Sequence, residues 1–110
     1  MSSDQLSAKT HPIVTGLLDY APNAIAAIAA HSKYGNDKHN GAGSPLRWSF
    51  HRSTHHADAV LTHLLQRGQT DPETGRTHTI ALAWRAIMLL ETELIAAGAT
   101  PGRGVSFEEP

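Results

Sequence analysis

The segment "TDPETGRTH", residues 70–78, concentrates side chains that can do chemistry. Asp71 and Glu73 supply carboxylates and His78 supplies an imidazole, the groups that hold divalent cations and transfer protons in hydrolytic sites. The segment also has an ordinary structural explanation. An Asp before Pro72 favours a turn, and Glu73 near the start of a helix favours that helix through its charge. The residues alone leave both interpretations open.

Glu91 is a second candidate because helical spacing places it on the apolar stripe that contains Ile87, Met88 and Leu94. A carboxylate on a buried face must be paired, protonated, hydrogen-bonded or bound to metal. Three alternatives stay open: contact with an arginine or solvent, a metal or acid–base role inside a bundle, and a contact between copies. Asp58, on the preceding predicted helix, is the carboxylate that could meet Glu91 and share a hard divalent cation.

The chain has eight histidines and no cysteine, so thiolate metal sites and disulfides are excluded. The spacing of His51, His55 and His56 raises the alternative of a zinc site, but the zinc-protease motif HExxH is absent. A solvated, histidine-rich surface explains the same residues. No serine lies in a nucleophile-elbow motif, and the glycines of residues 35–43 lack the Lys-Ser/Thr ending of a phosphate loop.

Three helical segments must position these side chains. They are predicted from about Pro12 or Asp19 to Lys33, from Ser53 to Arg67 and from Arg76 to Ala97. Gly35, Gly68 and Gly98 are the expected helix ends, Ser53 or Thr54 is the expected N-cap of the second helix, and residues 35–49 form a predicted loop. The predicted fold class is all-α, a small bundle of three to four helices in one domain, 1–110. Residues 1–11 and 99–110 are predicted flexible tails.

Composition narrows the classes of partner. With 110 residues the core is thin, so we expect a homo-oligomer, a dimer or a tetramer, to complete the bundle. A net charge of −1 with scattered basic residues makes nucleic acid an unlikely partner. No apolar run approaches the roughly 18 residues that span a membrane, and no signal peptide is visible, which predicts a cytoplasmic protein.

Taken in order, several motifs resemble one family. "KYG" at residues 33–35 is followed by Asn40, then by "HADAVLTHLLQRGQTDPETGRTH", and then by a tryptophan-containing helix with "LLETE". This series, from about Leu17 to Leu94, resembles the N-terminal domain of phage-encoded dATP/dGTP diphosphohydrolases. The resemblance implies a MazG-like, all-helical nucleotide pyrophosphohydrolase. Its expected partner is a purine nucleotide, its expected cofactor is Mg²⁺ or Mn²⁺, and its expected location is the cytoplasm of a phage host.

This hypothesis assigns roles to individual residues, of which the resemblance itself matches eleven: Lys33, Tyr34, Gly35, Asn40, Asp58, His63, Asp71, Glu73, Gly75, His78 and Glu91. The expected metal ligands are Asp58, Asp71 and Glu91, and the expected catalytic residues are His63, His78 and Glu73. The expected substrate-binding residues are Lys33, Tyr34, Lys38, Asn40, Arg47, Trp48, His56 and Trp84. The cations would contact phosphates and the aromatic rings would stack on a base.

Two other functions remain open. The chain lacks the carboxylate-rich Glu-x-x-Glu helix of the wider superfamily and offers few acidic ligands. A nucleotide-binding protein without turnover, a sensor or a sponge, fits cations and histidines with sparse carboxylates. A small structural module that packs its helices against another chain is the third alternative.

Overall fold

The structure is a computed structural model that describes residues 7–108. Its helices are a short π-helix, Val14–Leu18, and three α-helices: α1 Pro22–Asn40, α2 His56–Leu65 and α3 His78–Ala96. Its two-residue strands are β1 Trp48–Ser49, β2 Thr70–Asp71, β3 Arg76–Thr77 and β4 Val105–Ser106. The predicted all-α fold is therefore confirmed. Of the two predicted tails, residues 1–6 and 109–110 lie outside the described residues.

Helix α1 begins with Pro22, which tolerates the first helical turn because its missing N–H needs no partner there. The alanines that follow favour the helix. The prediction that Gly35 ends this helix is wrong. A Lys33–Asp37 ion pair of 2.7 Å spans that position, and α1 continues to Asn40, where Gly41 has a φ of 95°. The extra turns carry Lys38 and Asn40 as helical residues.

A short hairpin joins α2 to α3. Strands β2 and β3 pair antiparallel, with Thr70 opposite Thr77. The Thr77 side chain accepts a hydrogen bond from the Thr79 backbone N–H and caps α3. The predicted cap of α2 at Ser53 or Thr54 is wrong, because α2 begins at His56 and the Ser53 hydroxyl accepts a hydrogen bond from Arg85 instead.

Helix α3 is the centre of the fold, since it packs against both α1 and α2. Contacts of His63 with His78 and of His56 with Arg85 show that α2 and α3 run antiparallel. Within residues 7–108 the only buried apolar side chains are the alanines Ala81 and Ala99. Larger apolar residues are half-buried or exposed. No helix of this region is long and apolar enough to cross a membrane.

The C-terminal segment packs beside the chain that leads into α2. Strand β4 pairs parallel with β1, so that Trp48 lies opposite Val105. The rings of Phe50 and Phe107 lie 5.0 Å apart. The sequence indicated no strand here, because a two-residue strand has no periodicity to detect. The pairing fixes the backbone of Trp48.

Candidate active site

One cleft of about 430 Å³ opens between α1, α3, residues 47–56 and the β2–β3 turn. Four cationic side chains line it: Lys38, Arg47, Arg52 and Arg85. Two carboxylates, Asp71 and Glu73, and five histidines, His31, His39, His55, His56 and His63, line it as well. Cations therefore outnumber carboxylates on its walls, which favours a polyanionic ligand.

The cleft brings together most of the residues singled out in the sequence. Seven of the eight expected substrate-binding residues line it: Tyr34, Lys38, Asn40, Arg47, Trp48, His56 and Trp84. Lys33 does not, because its ammonium group pairs with Asp37 on the exposed side of α1. His63, Asp71 and Glu73 also line the cleft, and His78 lies behind them in contact with His63. These positions come from three helices, the β2–β3 turn and the segment that contains Arg47 and Trp48.

His63, Asp71 and His78 form a cluster in which one ligand atom from each side chain lies within 4.8 Å of the others. The two histidine Nδ1 atoms are 2.9 Å apart, and Nδ1 of His78 is 3.8 Å from Oδ2 of Asp71. His78 is buried and Asp71 is mostly buried. In residues 7–108 this is the one group of three such side chains that could hold a metal ion.

The carboxylate of Asp71 both stabilises the β2–β3 turn and faces His78. Its Oδ1 accepts a hydrogen bond of 2.9 Å from the Glu73 backbone N–H, and its carbonyl accepts one of 2.8 Å from Gly75. Gly75 has a φ of 72°, a conformation that favours glycine. The turn leaves Oδ2 facing His78. The structural and the chemical interpretations of this segment are therefore compatible.

Burial lowers the pKa of four histidines of the cleft, which favours their neutral form: His31, His39, His56 and His63. Burial lowers the pKa of His63, and the adjacent His78 lowers it further. Burial lowers the pKa of His31 as well, with Arg76 as the next cause. A neutral imidazole has a free lone pair, which metal coordination and proton acceptance both require.

The structure does not bring Asp58 and Glu91 to this cluster. Asp58 is exposed on α2, Glu91 is half-buried on α3, and neither lines the cleft. Asp71 is therefore the only one of the three expected metal ligands that lies among other candidate ligands. Helical spacing identified carboxylates beside apolar stripes, but it did not show which way those stripes face.

Lys38 and Glu73 form an ion pair across the mouth of the cleft. Glu73 raises the pKa of Lys38 through this hydrogen bond. The Tyr34 hydroxyl donates a 3.2 Å hydrogen bond to the Glu73 carbonyl. Helix α1 and the β2–β3 turn are thus joined at the wall of the cleft.

Asn36 is a positioning residue that the sequence did not reveal. It is buried, and its Oδ1 accepts hydrogen bonds from the Asn40 side chain, 2.7 Å, and from the Arg47 backbone N–H, 3.1 Å. Its Nδ2 donates to the Ser44 carbonyl at 3.0 Å. Asn36 therefore holds residues 41–47 against α1 and fixes where Arg47 enters the cleft wall. An asparagine inside a predicted loop carries no signal of this role.

Arg85 is a second residue of the cleft that the sequence analysis missed. Its Nη1 donates to the Ser53 hydroxyl at 2.8 Å and lies 3.2 Å from Nδ1 of His56. Burial lowers the pKa of His56, and Arg85 lowers it further, which favours a neutral ring that accepts the Arg85 hydrogen bond at Nδ1. The available signal was an arginine next to Trp84 on the inward face of α3.

Fold and site together define a small helical domain with a cationic cleft beside a His–Asp–His cluster. The model of one family, described as dATP/dGTP diphosphohydrolase, N-terminal, matches residues 2–101. The match covers most of the chain, so the chain belongs to this family, and the resemblance seen in the sequence is confirmed. No curated protein and no solved structure matches the chain.

Proposed function

We propose that this domain binds a purine deoxynucleoside triphosphate in the cleft and hydrolyses it to a monophosphate and pyrophosphate. Membership of the dATP/dGTP diphosphohydrolase family supports the substrate class. The observation that carries the proposal is the position of the His63–Asp71–His78 cluster beside a cleft lined by four cations. Water would add to the α-phosphorus while the bond between the α- and β-phosphates breaks, and pyrophosphate would leave.

The proposed metal ligands are His63, Asp71 and His78. Their donor atoms lie close enough to share one ion, and burial lowers the pKa of His63, which favours the neutral ring that a metal ion binds. Two imidazoles suit a transition-metal ion such as Mn²⁺ better than Mg²⁺, which prefers oxygen ligands. When bound, a divalent cation supplies Lewis-acid polarisation of phosphate oxygens.

The remaining roles follow from position in the cleft. Arg47 and Lys38 would bind phosphate oxygens, and Trp48 or Trp84 would stack on the base. When Lys38 turns to a phosphate, it would release the carboxylate of Glu73. Glu73 would then orient the attacking water and accept its proton. Each role is a proposal that a single substitution tests.

The test is hydrolysis of dGTP and dATP with Mn²⁺ or Mg²⁺, with the products identified by ion-exchange chromatography. We expect monophosphate and pyrophosphate in equal amounts and a loss of at least about 100-fold in Asp71→Asn, the typical effect of disturbing a catalytic group. Asp19→Asn, an exposed position outside the cleft, is the control and should keep full activity. Orthophosphate as a product, or an active Asp71→Asn enzyme, would refute the proposal.

Asp58→Asn separates the two sets of metal ligands. If the carboxylates on the apolar stripes bind the metal, this substitution abolishes turnover. If the His63–Asp71–His78 cluster binds it, turnover persists. We expect turnover to persist because Asp58 is exposed and does not line the cleft.

Nucleotide binding without turnover is the second candidate function. The excess of cations over carboxylates in the cleft favours it, because a phosphate site needs donors whereas a two-metal site needs acids. Thermal-shift measurements with dATP and dGTP, with and without Mn²⁺, separate the two candidates. Metal-independent stabilisation together with no hydrolysis would support the binding protein over the enzyme.

A further inference from the structure

Arg85 has hydrogen-bond donors that the fold does not use. Its Nη1 donates to the Ser53 hydroxyl at 2.8 Å and lies 3.2 Å from Nδ1 of His56. Among residues 7–108, no acceptor pairs with its Nε or Nη2 and no carboxylate pairs with the guanidinium. In the same region, the only fully buried side-chain nitrogen or oxygen without a partner is Nε2 of His56. Nε and Nη2 of Arg85 are therefore accessible, and Arg85 lines the cleft.

The contacts of Nη1 fix the direction of these free donors. The guanidinium is planar, so holding Nη1 at Ser53 and His56 also restricts Nε and Nη2. His56 is itself buried, at 6% exposure, and is the first residue of α2. Because the side chain is already held, a ligand that accepts from it costs less conformational entropy on binding. Arg85 thus presents two parallel donors on a supported side chain.

Arg85 lies at the end of the cleft away from the His63–Asp71–His78 cluster. His78 begins α3, and Arg85 follows it two helical turns later, about 10 Å along the helix axis. Trp84 precedes Arg85 and lines the cleft. The ring of Trp48 lies 6.4 Å from that of His56, which contacts Arg85. A nucleotide whose α-phosphate lies beside the cluster extends its sugar and base along the cleft, toward the tryptophans and Arg85.

The free donors of Arg85 match one edge of guanine. Nε–H and Nη2–H point in nearly the same direction, so they suit two adjacent acceptor atoms. Guanine presents such a pair in N7 and O6, and arginine is a common partner for it. Two phosphate oxygens form a similar pair. The neighbouring tryptophans favour the base at this end, because an aromatic ring stacks on a base.

We propose that Arg85 selects the base, by donating from Nε and Nη2 to N7 and O6 of guanine while a tryptophan stacks on the ring. This inference rests on the proposed binding of a purine deoxynucleotide and adds the base that the cleft prefers. Adenine keeps N7 but carries an amino donor in place of O6. That amino group faces a donor of Arg85, so the cleft discriminates against adenine.

Two matched pairs of ligands test the contact on the wild-type chain. Deoxynucleoside monophosphates are the probes, because the proposed hydrolysis leaves them unchanged, and calorimetric titration with Mn²⁺ present gives each Kd. dGMP and 7-deaza-dGMP differ at N7, and dIMP and dAMP differ in whether the 6-position carries an acceptor or a donor. We expect the first member of each pair to bind at least about fivefold more tightly. Equal affinity within either pair would overturn the inference.

Arg85→Lys tests the side chain, because lysine keeps the positive charge and loses the paired donors. We expect dGMP to bind at least about fivefold more weakly and the preference for dGMP over dAMP to disappear. Inorganic pyrophosphate should keep its Kd. An equal loss for pyrophosphate and dGMP would show that Arg85 binds phosphate, and would overturn the inference. Arg67→Lys, at an exposed position outside the cleft, is the matched control and should change neither affinity.

Ser53→Ala removes one contact that holds Nη1, and it should reduce the preference for guanine without abolishing it. Circular dichroism checks the fold of each variant, and the ligand pairs on the wild-type chain decide the question if a variant unfolds. A chain that selects guanine but releases no pyrophosphate from dGTP would contradict the proposed function and leave the role of Arg85 standing. A chain that hydrolyses dGTP but binds both members of each pair equally would contradict the role of Arg85 alone.

Discussion

Removal of the Asn36 side chain should loosen the wall of the cleft. Asn36→Ala deletes three hydrogen bonds: two join α1 to Ser44 and Arg47, and the third joins Asn36 to Asn40 within α1. Each such bond contributes about 0.5–1.5 kcal/mol net, so the loss is about 3 kcal/mol. Alanine is the better helix former and returns about 0.5 kcal/mol. The expected net destabilisation is therefore about 2–3 kcal/mol.

A change of this size is measurable by thermal unfolding. For a chain of this length each kcal/mol shifts Tm by about 4 °C, so Asn36→Ala should lower Tm by about 10 °C. Asn23→Ala is the matched control, because Asn23 is an exposed asparagine on the same helix. It carries the same change in helix propensity without loss of the three bonds, and its Tm should stay level or rise slightly.

The same substitution should weaken nucleotide binding, because Arg47 loses the bond that fixes its backbone. Titration of dGTP against both variants measures this, and only Asn36→Ala should show a higher Kd. The reasoning is refuted if the two variants have the same Tm within about 2 °C. It is also refuted if Asn36→Ala unfolds early but binds nucleotide as tightly as the control.

Three further outcomes are expected for the stability of the fold. Thr77→Ala should cost about 1 kcal/mol by removing the N-cap of α3, measured by urea unfolding, and an unchanged midpoint would contradict the capping role. Gly35→Ala should raise stability by about 0.8–1 kcal/mol, because Gly35 is helical and has open space around its Cα. Gly41→Ala should lower stability by about 1–2 kcal/mol, because Gly41 has a φ of 95°. A destabilising Gly35→Ala together with a stabilising Gly41→Ala would mean that α1 ends at Gly35. Because the pKa of His56 is lowered in the folded chain, the unfolded chain takes up the His56 proton first as pH falls. Tm should therefore be highest above the ordinary histidine pKa of 6.5 and should fall as pH drops below it. His56→Gln should reduce that fall.

The sequence identified the helices well where periodicity and alanine content were strong, but it misplaced the end of α1. Glycine is common at helix ends, so Gly35 indicated one. The sequence alone does not show the contacts that extend the helix beyond Gly35. The Lys33–Asp37 pair and the bonds of Asn36 stabilise the helix beyond Gly35. The bonds of Asn36 to Ser44 and Arg47 depend on where residues 41–47 lie, which is a tertiary property.

The candidate site was predictable in part. Asp71 and His78 are close in sequence on either side of one turn, so local chemistry was enough to bring them together. His63 joins them because α2 and α3 are antiparallel, which the sequence pattern did not predict. The pairing of Asp58 with Glu91 was predicted from helical spacing alone. Spacing defines a face of each helix but does not show which neighbour covers that face.

We propose that His63, Asp71 and His78 hold the cation beside the cleft. An anomalous-scattering map from crystals soaked with Mn²⁺ and a non-hydrolysable dGTP analogue locates the cation. We expect one strong peak between these three side chains, with phosphate density on the side of Lys38 and Arg47. A manganese peak at Asp58 or Glu91, with none at the cluster, would contradict it.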